Sequence, residues 1–581
     1  HGVSPTVLQP LPTFSSSGAA PENDLASGLS PWLDGSGLDG QGFLDTQFPL
    51  RLHFPFDNWT TDRGKIETYV ADMVRFYRAH GWGGRTYAYV VDEPRQPGQI
   101  RMAEKVAEII HAGSAKAGYR EPVLMTDEPR TRTLSGAPPN QALWKDVDIW
   151  CPRIFHFWDD LANLRHQQAK GKQIWWYNYA SHWSGRFPSW LIDKPNTDIR
   201  AQEWMAAVWG VTGTLYYDSD RWTNVNGKGY RDPYRNTASF GSFSSYIANG
   251  EASFIYPGYE PSLGLKDPLA GPVSSLRMEA LRSGLQDYQY YQIARALARR
   301  STLPGVAAYP ARVAAAVTSY QYGSYPLQWK NVPGWSNNPA TYTNAKVHLG
   351  VFIERLQAGE GLVVARGTVR DAATGKPVSY ATVSDGIVSA TTAANGSFSL
   401  SGVLPQARLS ISQPRYATAY ASYNEGDPAI TVALTPIKPI RVLSSFESAA
   451  AFNFPNAGSA TLSTLHATTG RKSAKLVFRS WRTAWSLSAS AGRLGAFHEL
   501  DLDVYNPQAD VKYHEWFLYL TATDAHGRQI TQRILLAPHA WNHLRLSLHS
   551  GSFDRRAVRT IGMYVYPVRN QTIYVDTVFA K

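Results

Sequence analysis

Residues 87–97 read YAYVVDEPRQP, an apolar run that stops at Asp92, Glu93 and Pro94. Two adjacent carboxylates offer general acid–base chemistry if they share a pocket, and form an ordinary solvated turn if they do not. On a regular strand neighbouring side chains point to opposite faces, so the pair could not enter one pocket. Pro94 alters that constraint: it removes a backbone donor that the ladder needs and biases Glu93 towards an extended, turn-like backbone. The strand is therefore predicted to end at Val91, leaving both carboxylates on the rim beyond it. A second copy, TDEPR at 126–130, follows the run PVLMT and makes Asp127 and Glu128 either a wall of the same site or an alternative pair.

Aromatic side chains cluster near other strand ends. The runs Trp175, Trp176, Tyr177 and Tyr216, Tyr217 must alternate faces, so only some of them can line a pocket. Trp176, Tyr177, Asn178, Tyr217, Asp218 and Trp222 lie closest to expected strand ends and are the candidates for stacking on a sugar and bonding its polar groups. His182 and Trp183 follow in a loop that either extends the site or is simply solvated. His53, His156 and His182 have no close metal-ligand spacing, and neither an HExxH motif nor an EF-hand loop is present, so no catalytic metal and no cofactor are expected. Near the C-terminus Trp481, Trp485, Trp516 and Trp541 are either a glycan platform or, more commonly for such residues, sandwich core.

The elements that must position these residues follow from the pattern of the chain. With 581 residues it exceeds one core, so several domains are expected. Up to about residue 300, β-rich runs alternate with amphipathic helical stretches, the pattern of a parallel sheet with crossover helices. The strand candidates are 49–56, 84–91, 122–126, 147–154, 172–180, 213–219 and 253–258. Seven strands, with no glycine-rich phosphate fingerprint, fit an α/β barrel of TIM type better than a doubly wound sheet. The eighth would lie near HGVSP at the N-terminus, where the barrel is expected to be clipped or irregular. The helical stretch 274–300 closes this region, and the barrel domain is assigned to 1–360. Short alternating strands then define a small sandwich at 361–438 and a longer all-β domain, of jelly-roll length, at 439–581.

Composition narrows the partners. Charged residues make up 18%, aromatics 13% with 19 Trp, an excess suited to flat apolar sugar faces. The net charge of +11 is scattered, with no basic block of the kind a nucleic-acid tail carries; it is read as solubility, with an acidic glycan as the lesser alternative. No apolar run is long enough for a membrane span. The single cysteine, Cys151, excludes an internal disulfide framework and is expected to be a small buried residue. Beginning at His1, the chain starts either after processing or inside a longer parent.

Taken in order, YVVDEP, IWWYNY, RAQEWMAAVWGVTGTLYYDSDRW, FIYPG and SSLRMEALRSGLQDYQYY resemble the catalytic barrel of glycoside hydrolase family 123 and its related barrels, over roughly residues 1–300. That resemblance implies a retaining, substrate-assisted cleavage of β-linked N-acetylgalactosamine by the adjacent Asp-Glu pair. The family's usual N-terminal β-sandwich is missing from this chain. Residues 361–436, with GTVRDAATGKPVSYATV and NGSFSLSGV, resemble the regulatory-like sandwich found beside carboxypeptidases, and 440–581 are similar to jelly-roll carbohydrate-binding modules. These neighbours imply a bacterial protein in an extracellular, periplasmic or cell-surface setting, acting on an oligo- or polysaccharide.

The adjacency of the carboxylates has its own chemical consequence. Retaining glycosidases of the usual kind place their carboxyl groups about 5 Å apart and inverting ones about 6.5–9.5 Å, on either side of the scissile bond. Neighbours on one rim segment do not flank a sugar in that way. In the route that the resemblance implies, Glu93 protonates the leaving oxygen and later activates water, while Asp92 orients the 2-acetamido group whose carbonyl attacks C1. The acid must hold its proton near neutral pH, which an ionised Asp92 and aromatic walls favour. Two rivals stay open: a barrel of the same group that cleaves another glycosidic bond, and a noncatalytic glycan-binding protein.

Overall fold

A computed structural model describes residues 10–34, 47–50, 59–89, 91–134, 136–179, 187–224, 228–243, 246–258, 271–318, 334–413, 416–437, 441–444, 446–447, 452–453, 458–467, 471–479, 484–488, 494, 497–507, 517–536, 540–549, 551–566 and 571–580. It divides into two compact units, one of His1–Arg300, Val313–Tyr325 and Asn331–Glu354, the other of Ser301–Arg312, Pro326–Lys330 and Arg355–Lys581.

The first unit is built on a six-stranded parallel sheet, β1 (Phe48–Pro49), β2 (Thr86–Tyr89), β3 (Val123–Met125), β4 (Ile149–Trp150), β5 (Gln173–Tyr177) and β6 (Gly213–Leu215), whose spatial order is the sequence order. Parallel neighbours need long crossovers, and helices supply four of the five. After α1 (Leu25–Leu33), α2 (Arg63–Ala79) joins β1 to β2, α3 (Pro97–Ala115) joins β2 to β3, α4 (Leu161–Ala169) joins β4 to β5, and α5 (Asn196–Trp209) joins β5 to β6. In α2 the buried positions Ile66, Tyr69, Val70, Met73, Val74 and Tyr77 recur at helical spacing, giving one apolar face. Pro97 opens α3, where its missing N–H would have had no helical partner.

Side chains alternate across the sheet. Tyr87, Leu124, Ile149, Cys151, Trp175 and Tyr177 form one cluster with Tyr89, Tyr179 and Leu215 packed on it, while Ala88 and Val123 join the core formed with α2 and α3. Gly213 lies across from Trp175 in the β5–β6 pair, and a β-carbon there would sit 2.5 Å from the indole, so this position must be bare. α5 packs on α6 (Leu276–Arg300), where Asp287 accepts from Arg200 and from Trp204 Nε1 at 2.9 Å.

The sheet departs from expectation beyond β6. The seventh candidate, 253–258, does not extend it: Ile255–Tyr256 pairs antiparallel with Val273–Ser274. The cause is visible in the backbone, since Phe254 N and Ile255 N both donate to the carbonyl of Ser219 and Pro257 has no donor. The observed element is thus a six-stranded parallel α/β sheet, and the N-terminal segment HGVSP lies outside the described residues.

The second unit is β-rich. One pair of sheets has three strands (Ser397–Val403, Val363–Asp371, Ile430–Leu434) and four strands (Ser389–Thr391, Thr382–Ser384, Arg408–Ser412, Ala419–Ser422), enclosing Ala365, Val369, Val383, Leu400 and Ile411. The other pair has six and five strands, with Leu476, Trp485, Leu502, Val504, Leu520 and Val575 between them. Trp485 is therefore core and Trp541 is half-buried, whereas Trp481 and Trp516 lie outside the described residues.

Candidate active site

β2 brings the first carboxylate pair to its C-terminal end, and the pair is held by hydroxyls from three strands. Tyr89 OH donates to Asp92 Oδ1 at 2.7 Å, and Thr126 Oγ1, just past β3, donates to the same oxygen at 2.9 Å. That threonine oxygen also accepts from Glu93 N at 2.9 Å, so one hydroxyl ties both residues. Glu93 has φ of 43°, a left-handed backbone rather than the extended one expected before a proline. Such a conformation is costly for a side-chain-bearing residue and persists where surrounding bonds impose it.

Glu93 faces a cation. Arg153, from the segment after β4, reaches it through Nε, 3.0 Å from Oε1, and through Nη2, bonded to Oε2. Tyr177 OH donates to Oε1 as well. Arg153 is itself held by Tyr177 OH at 2.9 Å, by Tyr179 OH at 3.2 Å and by the ring of Tyr179, whose centroid is 5.1 Å from Cζ. Asp92 and Glu93 thus stand side by side beside tyrosines at the strand ends, Asp92 exposed and Glu93 half-buried.

The second pair is a buttress and not a second site. Asp127 and Glu128 are fully buried and share Arg130, which lies 3.2 Å from Glu128 Oε1 and bonds Asp127 directly. Arg130 also donates to the Pro94 carbonyl at 3.4 Å, and Arg95 stands 3.6 Å from Glu128 Oε2, so the cluster grips the segment after Glu93. Burial, reinforced by the charge of Glu128, pushes Asp127 up to about 7. On the other flank Gln99 accepts from Arg95 N and Gln96 N, fastening the same loop to the start of α3.

Of the expected sugar contacts, Tyr177 lies at the site. Trp176 does not: it points to the opposite face, fully buried against Phe157 at 5.3 Å, its Nε1 donating to Thr214 Oγ1. Asn178 is on that face too, bonded to the Pro188 carbonyl and to Gln202 Oε1. Both corrections have one cause, the two-residue period of a strand whose odd positions face inward. Tyr217 is exposed beyond β6, Asp218 Oδ1 accepts from Asp220 N at 3.2 Å, and Trp222 Nε1 is committed to the Ile255 carbonyl at 2.8 Å. Burial raises the pKa of Asp218. His156 is buried and bonded to Asp159, while His53, His182 and Trp183 lie outside the described residues. Sequence reasoning missed Arg153, Thr126, Tyr89 and Tyr179. The signals for them were a basic residue after Pro152, a hydroxyl at a strand end, and tyrosines in phase with Tyr177.

Burial, with the charge of Asp92 beside it, pushes the Tyr89 hydroxyl pKa up, and burial does the same for Tyr177; both therefore stay protonated as donors. Cys151 lies beneath them, buried and free, its thiol also pushed up by burial. Among the described residues one acidic group is compact enough for a metal, Glu104, Glu108 and Asp146. The Lys145 ammonium already lies 3.7, 3.4 and 3.8 Å from those three carboxylates and supplies their counter-charge.

Parallel strands joined by helices, with paired carboxylates at a strand's C-terminal end, put the candidate site where sheets of this kind carry theirs. Residues 58–294 match the family model described as glycoside hydrolase 123, catalytic domain, which covers the six-stranded sheet from β2 onwards. Among solved structures, the chain is similar to the family 11 carbohydrate-binding module of cellulase Lic26A-Cel5E of Clostridium thermocellum, at 12% identity over 24% of this chain and 92% of that one, with a TM-score of 0.20. It is also similar to the CBM22-1 xylan-binding domain of Paenibacillus barcinonensis Xyn10C, at 13% identity over 24% and 94%, TM-score 0.19. An exo-beta-agarase matches at 13% identity over 25% and 24%, TM-score 0.21. No curated protein matches the chain.

Proposed function

We propose that this protein is a glycoside hydrolase that cleaves a β-linked N-acetylhexosamine, N-acetylgalactosamine in the first instance, with retention and with the substrate's acetamide as nucleophile. The observation that carries this reading is the adjacency of Asp92 and Glu93 on one strand-end loop, fixed through a single Thr126 hydroxyl. Two carboxylates so placed serve one side of a sugar, which leaves the opposite side to an internal nucleophile. In the first step the acetamide oxygen bonds to C1, the C1–O bond to the leaving group breaks, and that oxygen takes the Glu93 proton. Asp92 orients the acetamide N–H and balances the positive charge of the cyclic intermediate. Water then attacks C1 from the vacated side, returns a proton to Glu93, and opens the ring with the original configuration. Tyr177, Tyr179 and the exposed Tyr217 supply stacking and hydroxyl contacts. We take the parallel sheet to be part of a β/α barrel, and the protein to work outside the cytoplasm with its β-rich unit holding it to a polysaccharide.

One observation favours a second reading, noncatalytic glycan binding: Glu93 is paired with the Arg153 guanidinium, a partner that favours a carboxylate over a proton-donating acid. Hydrolysis of an aryl β-N-acetylgalactosaminide by the wild type, Glu93→Gln and Asp92→Asn separates the two. Activity lost in both variants supports catalysis; binding without hydrolysis in all three supports the alternative, and activity surviving in both variants sinks the assignment of the pair.

A further inference from the structure

The pairing of Glu93 with Arg153 bears on what the site accepts. Glu93 receives three donors, Arg153 Nε, Arg153 Nη2 and Tyr177 OH, spread over its two carboxylate oxygens. That set occupies all but one of the roughly four acceptor sites of a carboxylate, and the guanidinium favours its ionised form, whereas a general acid must carry a proton. Glu93 therefore becomes the better acid once Arg153 moves off it. The guanidinium is positioned to do so and to find another partner: with its side chain 19% exposed and that of Glu93 28%, the pair is open to a ligand. Tyr179 OH and the rings of Tyr179 and Phe155, 5.1 and 5.7 Å from Cζ, keep it at the site without Glu93. Among the described residues Glu93 is its only carboxylate partner.

A neutral sugar hydroxyl replaces Glu93 less well in that pair, because it withdraws a paired charge from a partly buried cation. An anion replaces it charge for charge and with the same two-pronged geometry. We infer that the sugar taken by this site carries an anionic substituent, a sulfate ester or a uronate carboxylate, which draws Arg153 off Glu93 and frees the acid. The net charge of +11 favours approach of such a glycan. This rests on Glu93 being the acid, as proposed above. Arg153 thereby becomes the specificity-determining residue.

The test uses the full chain and its Arg153→Gln variant. An aryl β-N-acetylgalactosaminide, its 6-sulfate, and a β-N-acetylgalactosaminide bearing a glucuronate neighbour are compared as substrates. The wild type is expected to favour an anionic substrate by at least about tenfold in kcat/KM, and the variant by less than about twofold; whichever anionic substrate gains identifies sulfate or carboxylate as the group. Calorimetric titration with N-acetylgalactosamine, its 6-sulfate and glucuronate reads the same preference without hydrolysis. Equal wild-type affinity for the neutral and both anionic sugars, or a preference unchanged in Arg153→Gln, overturns the inference. Anion-selective binding that depends on Arg153, without cleavage of any substrate, upholds the anion preference and overturns the hydrolase reading, and with it the freeing of an acid.

Discussion

Replacing Thr126 by valine removes one oxygen while keeping the side chain's shape, and that oxygen is the common tie of the site. It is buried, donates to Asp92 Oδ1 at 2.9 Å and accepts from Glu93 N at 2.9 Å. A hydrogen bond to an ionised group contributes about 1.5–3 kcal/mol and an ordinary one about 0.5–1.5 kcal/mol, so about 3 kcal/mol of restraint is lost. Against this, Glu93 at φ 43° is released from a conformation that costs about 1–3 kcal/mol. The net loss of folding stability is therefore small, about 1 kcal/mol. The rate has no such offset, because the released carboxylates leave the geometry that catalysis needs. If about 2–3 kcal/mol of transition-state stabilisation goes with them, kcat falls about 30- to 150-fold. The assay is steady-state hydrolysis of the cognate aryl glycoside, with urea unfolding in parallel, and Thr126→Ser as the control that keeps both bonds. Valine as active as wild type, or serine as damaged as valine, would refute the reasoning.

Other expectations follow from buried charge and close packing. His543, between Asp503 at 2.9 Å and Asp501 at 3.5 Å, is pushed down by burial, but its bonds to these carboxylates outweigh that and carry it up to about 9. A raised histidine stabilises fully below its unfolded pKa near 6.5, and the contribution is lost as pH rises through 9; for a mostly buried pair it is at most about 3 kcal/mol. Thermal melts from pH 6 to 10 should show that decline, and His543→Gln should flatten it. Glu203, buried on α5 and pushed up to about 7 by burial, costs stability as pH rises from the ordinary glutamate range to 7. Glu203→Gln should raise stability above pH 7, by up to about 3 kcal/mol in urea unfolding, and have no such effect near pH 4. Gly284→Ala should destabilise the first unit by about 1–3 kcal/mol, because its β-carbon would lie 2.9 Å from Glu203 Cγ and 3.2 Å from Arg200 Cα; an unchanged melt would contradict the tight α5–α6 approach.

The strand-end pair was legible because a proline after an apolar run marks where pairing must stop, and the alternation of strands and helices was legible from their two periods. The phase of β5 was harder. Trp176, Tyr177 and Asn178 are equally suited to a sugar by type, and only the placement of Tyr87, Cys151 and Trp175 in one cluster shows that odd positions face inward. Arg153 was hidden for another reason. The run VDIWCPRI looks like one strand, but pairing as a named strand ends at Trp150, so the arginine belongs to the rim. The role of the second DEP motif was not readable at all, since Arg130 and Asn140 are what turn two carboxylates into a buried support. The seventh strand failed because a loop carbonyl, Ser219, took its donors, and nothing in 253–258 announces that competition.

The central claim is that Asp92 and Glu93 work from one side of the sugar while its own acetamide works from the other. Proton NMR of the first sugar released from a β-N-acetylgalactosaminide that the protein cleaves tests it directly. The account predicts the β-anomer as initial product, followed by slow mutarotation; initial release of the α-anomer would contradict it.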